Sequence, residues 1–268
     1  MIKRVLTFAS LVLVFAGMNS CAKHSDEITS QELSQEIKNK ILALGFSPQN
    51  AIAVDEGYLV EGDILLSPND LDKIAQRQIL RIGDEEQYHT TNLVTGTPRN
   101  ITVWIATTGG NKLPASYVAA LDEAIGRYNA ENLSVTFTRI NSNSAEIDLI
   151  KGSGNFLASA GFPTSTGNPY GTVKVNPSAI GNQPQSTIAS IMAHEIGHCI
   201  GFRHTDYMNR AYSCGGQAVN EGDGGVGAIQ IPGTPSGPDP NSWMLSCIGA
   251  GQNRPFNAND VTALNYLY

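Results

Sequence analysis

The stretch "AHEIGHCIGFRHTD", Ala193 to Asp206, holds three of the five histidines of this 268-residue chain, with Gly201 between the last two. Imidazole is the commonest zinc ligand, so clustering of this kind points to a metal. Residues four apart share a face of a helix, and His194 and His198 can aim their rings at one point. Glu195 lies about 100° around from His194. It reaches the edge of that space, where a carboxylate can take a proton from water instead of ligating. The helix must then end abruptly for His204 to fold back, and Gly201 supplies the left-handed residue of that reversal without steric cost. Three histidines leave one tetrahedral position open, the arrangement of a catalytic zinc and not of a structural one. HExxH alone occurs often in ordinary helices. The glycine three residues on and the histidine three beyond it make the zinc reading specific.

"HEIGHCIGFRH" resembles the metzincin signature HExxHxxGxxH, and "SWML" around Met244 looks like the Met-turn that lies beneath the metal in that clan. The wording "HEIGH", "GFRHTD" and "SWMLSCIG" is similar to the dual-action HEIGH metallopeptidase family of bacteria. The resemblance implies an α+β fold, a metzincin-type zinc peptidase domain with a twisted mixed sheet, a long active-site helix, a Met-turn and a C-terminal helix. It also implies one catalytic Zn2+ on His194, His198 and His204, Glu195 as general base, and protein or peptide substrates. Metzincins bind substrate as an added antiparallel strand on the sheet edge above the metal, and "YGTVKVN" is the candidate edge. Two positions depart from relatives. Thr205 separates the third histidine from Asp206, and Ser246 stands where some carry a tyrosine two residues after the methionine.

A formal net charge of -7 and the lack of a basic run beyond the first residues exclude nucleic acid as the expected partner. The chain opens with "MIKR" and an apolar run of 14 residues, Val5 to Met18, too short to span a bilayer comfortably but fitting a signal peptide over 1–20. Cys21 at the cleavage point resembles the lipidated cysteine of bacterial lipoproteins. The expectation is an exported monomer anchored to a membrane through Cys21, the alternative being simple secretion. Cys199, Cys214 and Cys247 then remain, which suits one disulfide and one free thiol, with Cys214 the favoured partner and the pairing open.

Charge density divides the rest. Residues 22–99 carry 20 charged side chains in 78, and residues 100–268 carry 19 in 169, which places a boundary near Thr97 to Asn100. The expected organisation is an N-terminal region over 21–99, a candidate propeptide, and a peptidase domain over 100–268. The first region reads as a helix from about Ile28 to a stop at Gly45, two short strands, and a helix from Ser67 and Pro68 through Leu80. The second reads as "NITVWIAT" (strand), "PASYVAALDEAIGRYNAEN" (helix), three strand-like runs, the histidine helix from Gln185, a long glycine- and proline-rich loop, and a last helix capped by Asn257 with Asp260 three residues on.

The first region also contains "VEGDILL", Val60 to Leu66. The commoner reading is a polar turn between two strands. The sharper one follows from a resemblance to the aspartate switch of astacin propeptides and makes Asp63 a latent zinc ligand in the uncleaved chain; a carboxylate is a competent zinc ligand, and Gly62 permits close approach. A domain that delivers the peptidase to a target is the alternative role for 21–99. A surface binding or adhesion protein keeping a structural zinc site is the rival function, from which Glu195 discriminates. "EGDGG" at 221–225 offers too few carboxylates for a calcium site. His24 and His89 are expected to be solvated.

Overall fold

Ile101, Val103 and Ile105 turn inward along Arg99–Ile105 while the residues between them stay partly exposed, the period of a strand covered mainly on one face. The computed structural model describes residues 33–44, 46–71, 87–222, 226–235 and 237–268. The expected signal segment, Cys21, His24, Gly45 and the expected helix beyond Leu71 lie outside the described residues.

Upstream, α1 (Gln35–Ala43) is followed by the antiparallel meander β1 (Ile52–Val54), β2 (Gly57–Val60) and β3 (Ile64–Leu66), and by one turn of helix, α2 (Pro68–Leu71). These elements gather their own cluster of Ile41, Leu44, Phe46, Val60, Ile64, Leu66 and Leu71. Next come β4 (Tyr88–His89), β5 (Arg99–Ile105), α3 (Ser116–Asn129), β6 (Val135–Arg139), β7 (Ile147–Lys151), β8 (Ala158–Ser159) and β9 (Thr172–Val175). The chain closes with α4 (Pro177–Ile180), α5 (Gln185–Ile200), α6 (Ala211–Cys214), β10 (Ile229–Gln230) and α7 (Ala258–Leu267).

The main sheet has the order β6-β5-β7-β9-β8, parallel except for β8. Tyr117, Ala120, Leu121, Ala124, Ile125 and Tyr128 form the buried stripe of α3, which packs against α5. From Thr187 to Ile200 every residue of α5 is buried, so this helix is the interior of the domain and not a surface element. Asn257 caps α7 and Asp260 returns the bond, the reciprocal capping box that their spacing predicts. Among the described residues no helix is long and apolar enough to cross a membrane.

Three expectations change. "YGTVKVN" is not the sheet edge, because β8 turns back antiparallel along β9 and becomes the outer strand. The charge step near Thr97 to Asn100 is not a seam: Gln31–Tyr268 forms one compact unit, and β4 pairs with β10 across it. His89 is not a solvated side chain. Its ring is partly buried, its Nδ1 lies 2.7 Å from the Thr90 carbonyl, and burial lowers its pKa despite that contact. Cys214 and Cys247 form the disulfide, and Cys199 is a buried free thiol.

Candidate functional site

Helix α5 presents His194 and His198 one turn apart, with ring centroids 4.7 Å from each other. The helix ends at Gly201, whose φ of 113° is left-handed. A β-carbon there would fall 2.7 Å from Leu93 Cδ2 and 3.1 Å from the Asn92 carbonyl, so glycine is required by space as well as by backbone. The reversed chain carries His204 back until its Nε2 is 3.2 Å from His198 Nε2.

Each ring is held by its other nitrogen. His194 Nδ1 donates to the Trp243 carbonyl at 2.9 Å and His198 Nδ1 to the Phe202 carbonyl at 2.8 Å. His204 Nδ1 donates to the Glu221 carboxylate, 3.2 and 3.1 Å from its two oxygens. Such bonds fix the tautomer and leave the Nε2 lone pairs pointing at a common centre.

Asp63 completes the cluster from 131 residues before the helix pair begins to converge: its Oδ2 is 3.1 Å from His204 Nε2 and 3.7 Å from His194 Nε2. Ligand atoms of Asp63, His194, His198 and His204 all lie within 4.8 Å of one another, and all four residues are buried. Among the described residues, His194 Nε2 and Asp63 Oδ1 find no hydrogen-bond partner although both are buried. Burial alone would suppress charge on His204, but Asp63 and Glu221 outweigh it and hold the ring's pKa well above the ordinary range. Burial works against the Asp63 carboxylate, but the charge and hydrogen bond of His204, with His194 close by, hold its pKa well below the usual one. The unpartnered His194 nitrogen and Asp63 oxygen, buried within a group of ligand atoms this close together, suit a zinc ion.

Glu195 is buried beside this centre, with Oε2 unpartnered among the described residues. Burial first, and the Asp63 charge second, raise its pKa well above that of an ordinary glutamate. The floor is built by Met244. A β-carbon on Gly197 would meet Met244 Sδ at 2.6 Å and Trp243 Nε1 at 3.1 Å, so the glycine of "HEIGH" lets the downstream turn press against α5. Thr205 N donates to the Met244 carbonyl at 3.0 Å. Asp206 accepts from Ser213 Oγ at 2.6 Å, Ser246 N at 2.9 Å and Ser246 Oγ at 2.7 Å. It thus ties the histidine loop to the Met244 turn and does not touch His204; Ser246 is engaged in that tie.

A cavity of about 220 Å³ opens beside His194 and Glu195, lined also by Phe156, Leu157, Ile191, Leu245 and Ile248. Spacing on α5 placed His194, Glu195 and His198, and the glycine stop after it returned His204 to them. It gave no sign of Glu221, which sits in a glycine-rich loop and was legible only as an acidic residue of "EGDGG". Nor could it show the carbonyls of Trp243 and Phe202, since backbone acceptors carry no sequence mark.

A mixed sheet over a buried helix, with three convergent imidazoles, a neighbouring buried glutamate and a methionine turn beneath, defines a metzincin-like metallopeptidase domain. The sequence model of the dual-action HEIGH metallopeptidases matches residues 58–268. The chain belongs to that family, and it is a zinc metallopeptidase acting on protein or peptide substrates. Two solved structures of myroilysin resemble it. One has 16% identity and a TM-score of 0.42, covering 66% of this chain and 82% of that one. The other has 17% identity and a TM-score of 0.40, covering 64% and 83%. No curated protein matches the sequence.

Proposed function

We propose that this chain is an exported, lipid-anchored zinc endopeptidase held latent by its own N-terminal region. His194, His198 and His204 are its metal ligands, Glu195 is its general base, and Asp63 is the latent ligand. The observation that carries the reading is the approach of the Asp63 carboxylate to the Nε2 atoms of His194 and His204.

Zinc, when bound, polarises a carbonyl oxygen and acidifies water. Glu195 takes the proton of the attacking water and delivers it to the leaving amine. Its burial at the wall of the cavity suits a group that must hold a proton and give it back. Gly62 and Asp63 line that space, and the Asp63 segment lies along the sheet edge beside it. Ala160 N donates to the Asp63 carbonyl at 3.0 Å and Leu65 N donates to the Ala160 carbonyl at 2.9 Å, a parallel bridge continuing the outer strand β8. A substrate laid antiparallel on that edge would need the same backbone groups. The Asp63 segment occupies them in the opposite direction, so it blocks the cleft without offering a bond in the productive sense.

Two further contacts fasten the plug. Buried Glu61 accepts from Ser47 N at 3.1 Å and has Oε2 3.7 Å from Arg203 Nη2. The Arg203 guanidinium also lies 5.1 Å from the Phe46 ring centroid and 5.3 Å from that of Tyr207. Export is supported by the apolar run before Cys21 and by the Cys214–Cys247 disulfide, which suits an oxidising compartment. Glu195→Gln in the processed enzyme is expected to lower kcat/KM by about 10²- to 10⁴-fold while zinc stays bound; undiminished proteolysis removes the assigned base. Fatty-acid labelling that is lost in Cys21→Ala tests the anchor, and labelling that never occurs removes it.

A further inference from the structure

The three histidines are not held alike. Two donate their Nδ1 hydrogen to neutral backbone carbonyls, and the third donates to a carboxylate whose two oxygens lie 3.2 and 3.1 Å from the ring nitrogen. Both His204 and Glu221 are fully buried. We propose that Glu221 is the positioning residue of the metal centre: it orients His204 and, through the charged hydrogen bond, makes that ring the strongest of the three donors. This rests on the zinc reading given above.

Geometry excludes the alternatives for Glu221. It cannot ligate the same ion, because it faces Nδ1 while Asp63 and His198 face Nε2. A second cation between Glu61, His204 and Glu221 does not suit the surroundings. His204 Nδ1 is already spent on the carboxylate, and two guanidiniums border the group: Arg203 Nη2 is 3.7 Å from Glu61 and Arg210 Nη1 is 3.6 Å from Glu221.

The carboxylate is itself fixed, as an orienting group must be. Its backbone N–H donates to the Tyr207 carbonyl at 2.7 Å, and Ser246 Oγ lies 3.4 Å from Oε1. Glu221 therefore joins His204 to the turn that carries Met244. A carboxylate behind a ligating imidazole raises its basicity and locks its rotation, and removing such a partner typically weakens metal affinity about 10- to 100-fold.

The test is zinc affinity of the full-length protein, measured by competition with a chelator, for wild type, Glu221→Gln and Glu221→Ala. Cobalt substitution reads ligand geometry in parallel. The expected order is wild type, then Gln, which keeps an acceptor without the charge, then Ala, weaker than wild type by about 10- to 100-fold. The cobalt absorption bands are expected to move most in Ala. Wild-type affinity and an unchanged cobalt spectrum in folded Glu221→Ala overturn the proposal. If Ala does not fold, Gln decides: affinity equal to wild type overturns it, and a reduced affinity with unchanged circular dichroism supports it. Failure of wild type to bind zinc at all would instead strike the zinc reading, so the two failures are distinguishable.

Discussion

Residues 33–71 and residues 87–94 both lie upstream of the step in charge density, yet they meet the peptidase in opposite ways. The first stretch has its own apolar cluster and meets the rest through side chains and one strand bridge: Asp63, Glu61, the Glu56–Lys174 ion pair, and Phe162 and Val226 packed against the cluster. The second is stitched into the catalytic body. Gln87 Nε2 donates to Asp260 Oδ1 at 2.7 Å, Ile231 N donates to the Gln87 carbonyl at 2.7 Å, Arg203 N to the Tyr88 carbonyl at 2.9 Å, and Thr90 N to the Gly201 carbonyl at 2.8 Å. Val94 belongs to the main core. One stretch lies over the histidines, where the proposed latency places a removable plug; the other supports the loop that carries His204. Composition groups them because surface charge density reports neither backbone pairing nor core membership.

The comparison breaks most visibly by truncation. A chain starting at Gln87 is expected to unfold cooperatively on heating, and one starting at Asn100 is expected not to fold, because it lacks β4 and the bonds to Arg203 and Gly201. Circular dichroism distinguishes them, and a cooperative melt from the shorter chain would end the distinction.

Next in size is Phe46→Ala. It empties the centre of the upstream cluster and removes the ring against Arg203, at a cost of about 3–5 kcal/mol to that unit. Limited proteolysis should then cut within 33–71 much faster while the peptidase body keeps its melting temperature. Equal loss of stability in both parts would mean they are a single cooperative unit.

Asp63→Ala leaves the plug folded but removes its carboxylate from the histidines. Full-length mutant is expected to hydrolyse a mixed-peptide substrate at least about ten times faster than full-length wild type, equivalent to about 1.4 kcal/mol of lost self-binding. Unchanged low activity removes the switch. Smallest is Gln87→Ala, which removes one buried donor to Asp260 and should lower global stability by about 1 kcal/mol in denaturant unfolding, with latency unaffected.

Much of this was readable in the chain because it depends on local periodicity. The 3.6-residue repeat puts His194 and His198 on one face, a left-handed glycine ends the helix, and an asparagine with an aspartate three residues on caps α7. The alternation in "NITVWI" gave β5 in the same way. Other features were illegible because they join residues far apart. Nothing local distinguishes Glu221 from a solvated loop acid, or His89 from an exposed imidazole. The outer strand β8 is two residues long, below what any periodicity can mark.

Asp63 marks the divide. The sequence by itself determined that His194, His198 and His204 would converge and where the helix carrying the first two must stop, since those follow from backbone geometry within about a dozen residues. It also supplied a carboxylate flanked by glycine. Only the tertiary structure decided that this carboxylate lies against His204, that Glu221 stands behind the same ring, and that residues 87–94 belong with the peptidase. Those pairings are set by strand order and by packing against a shared core, which short stretches of sequence do not encode.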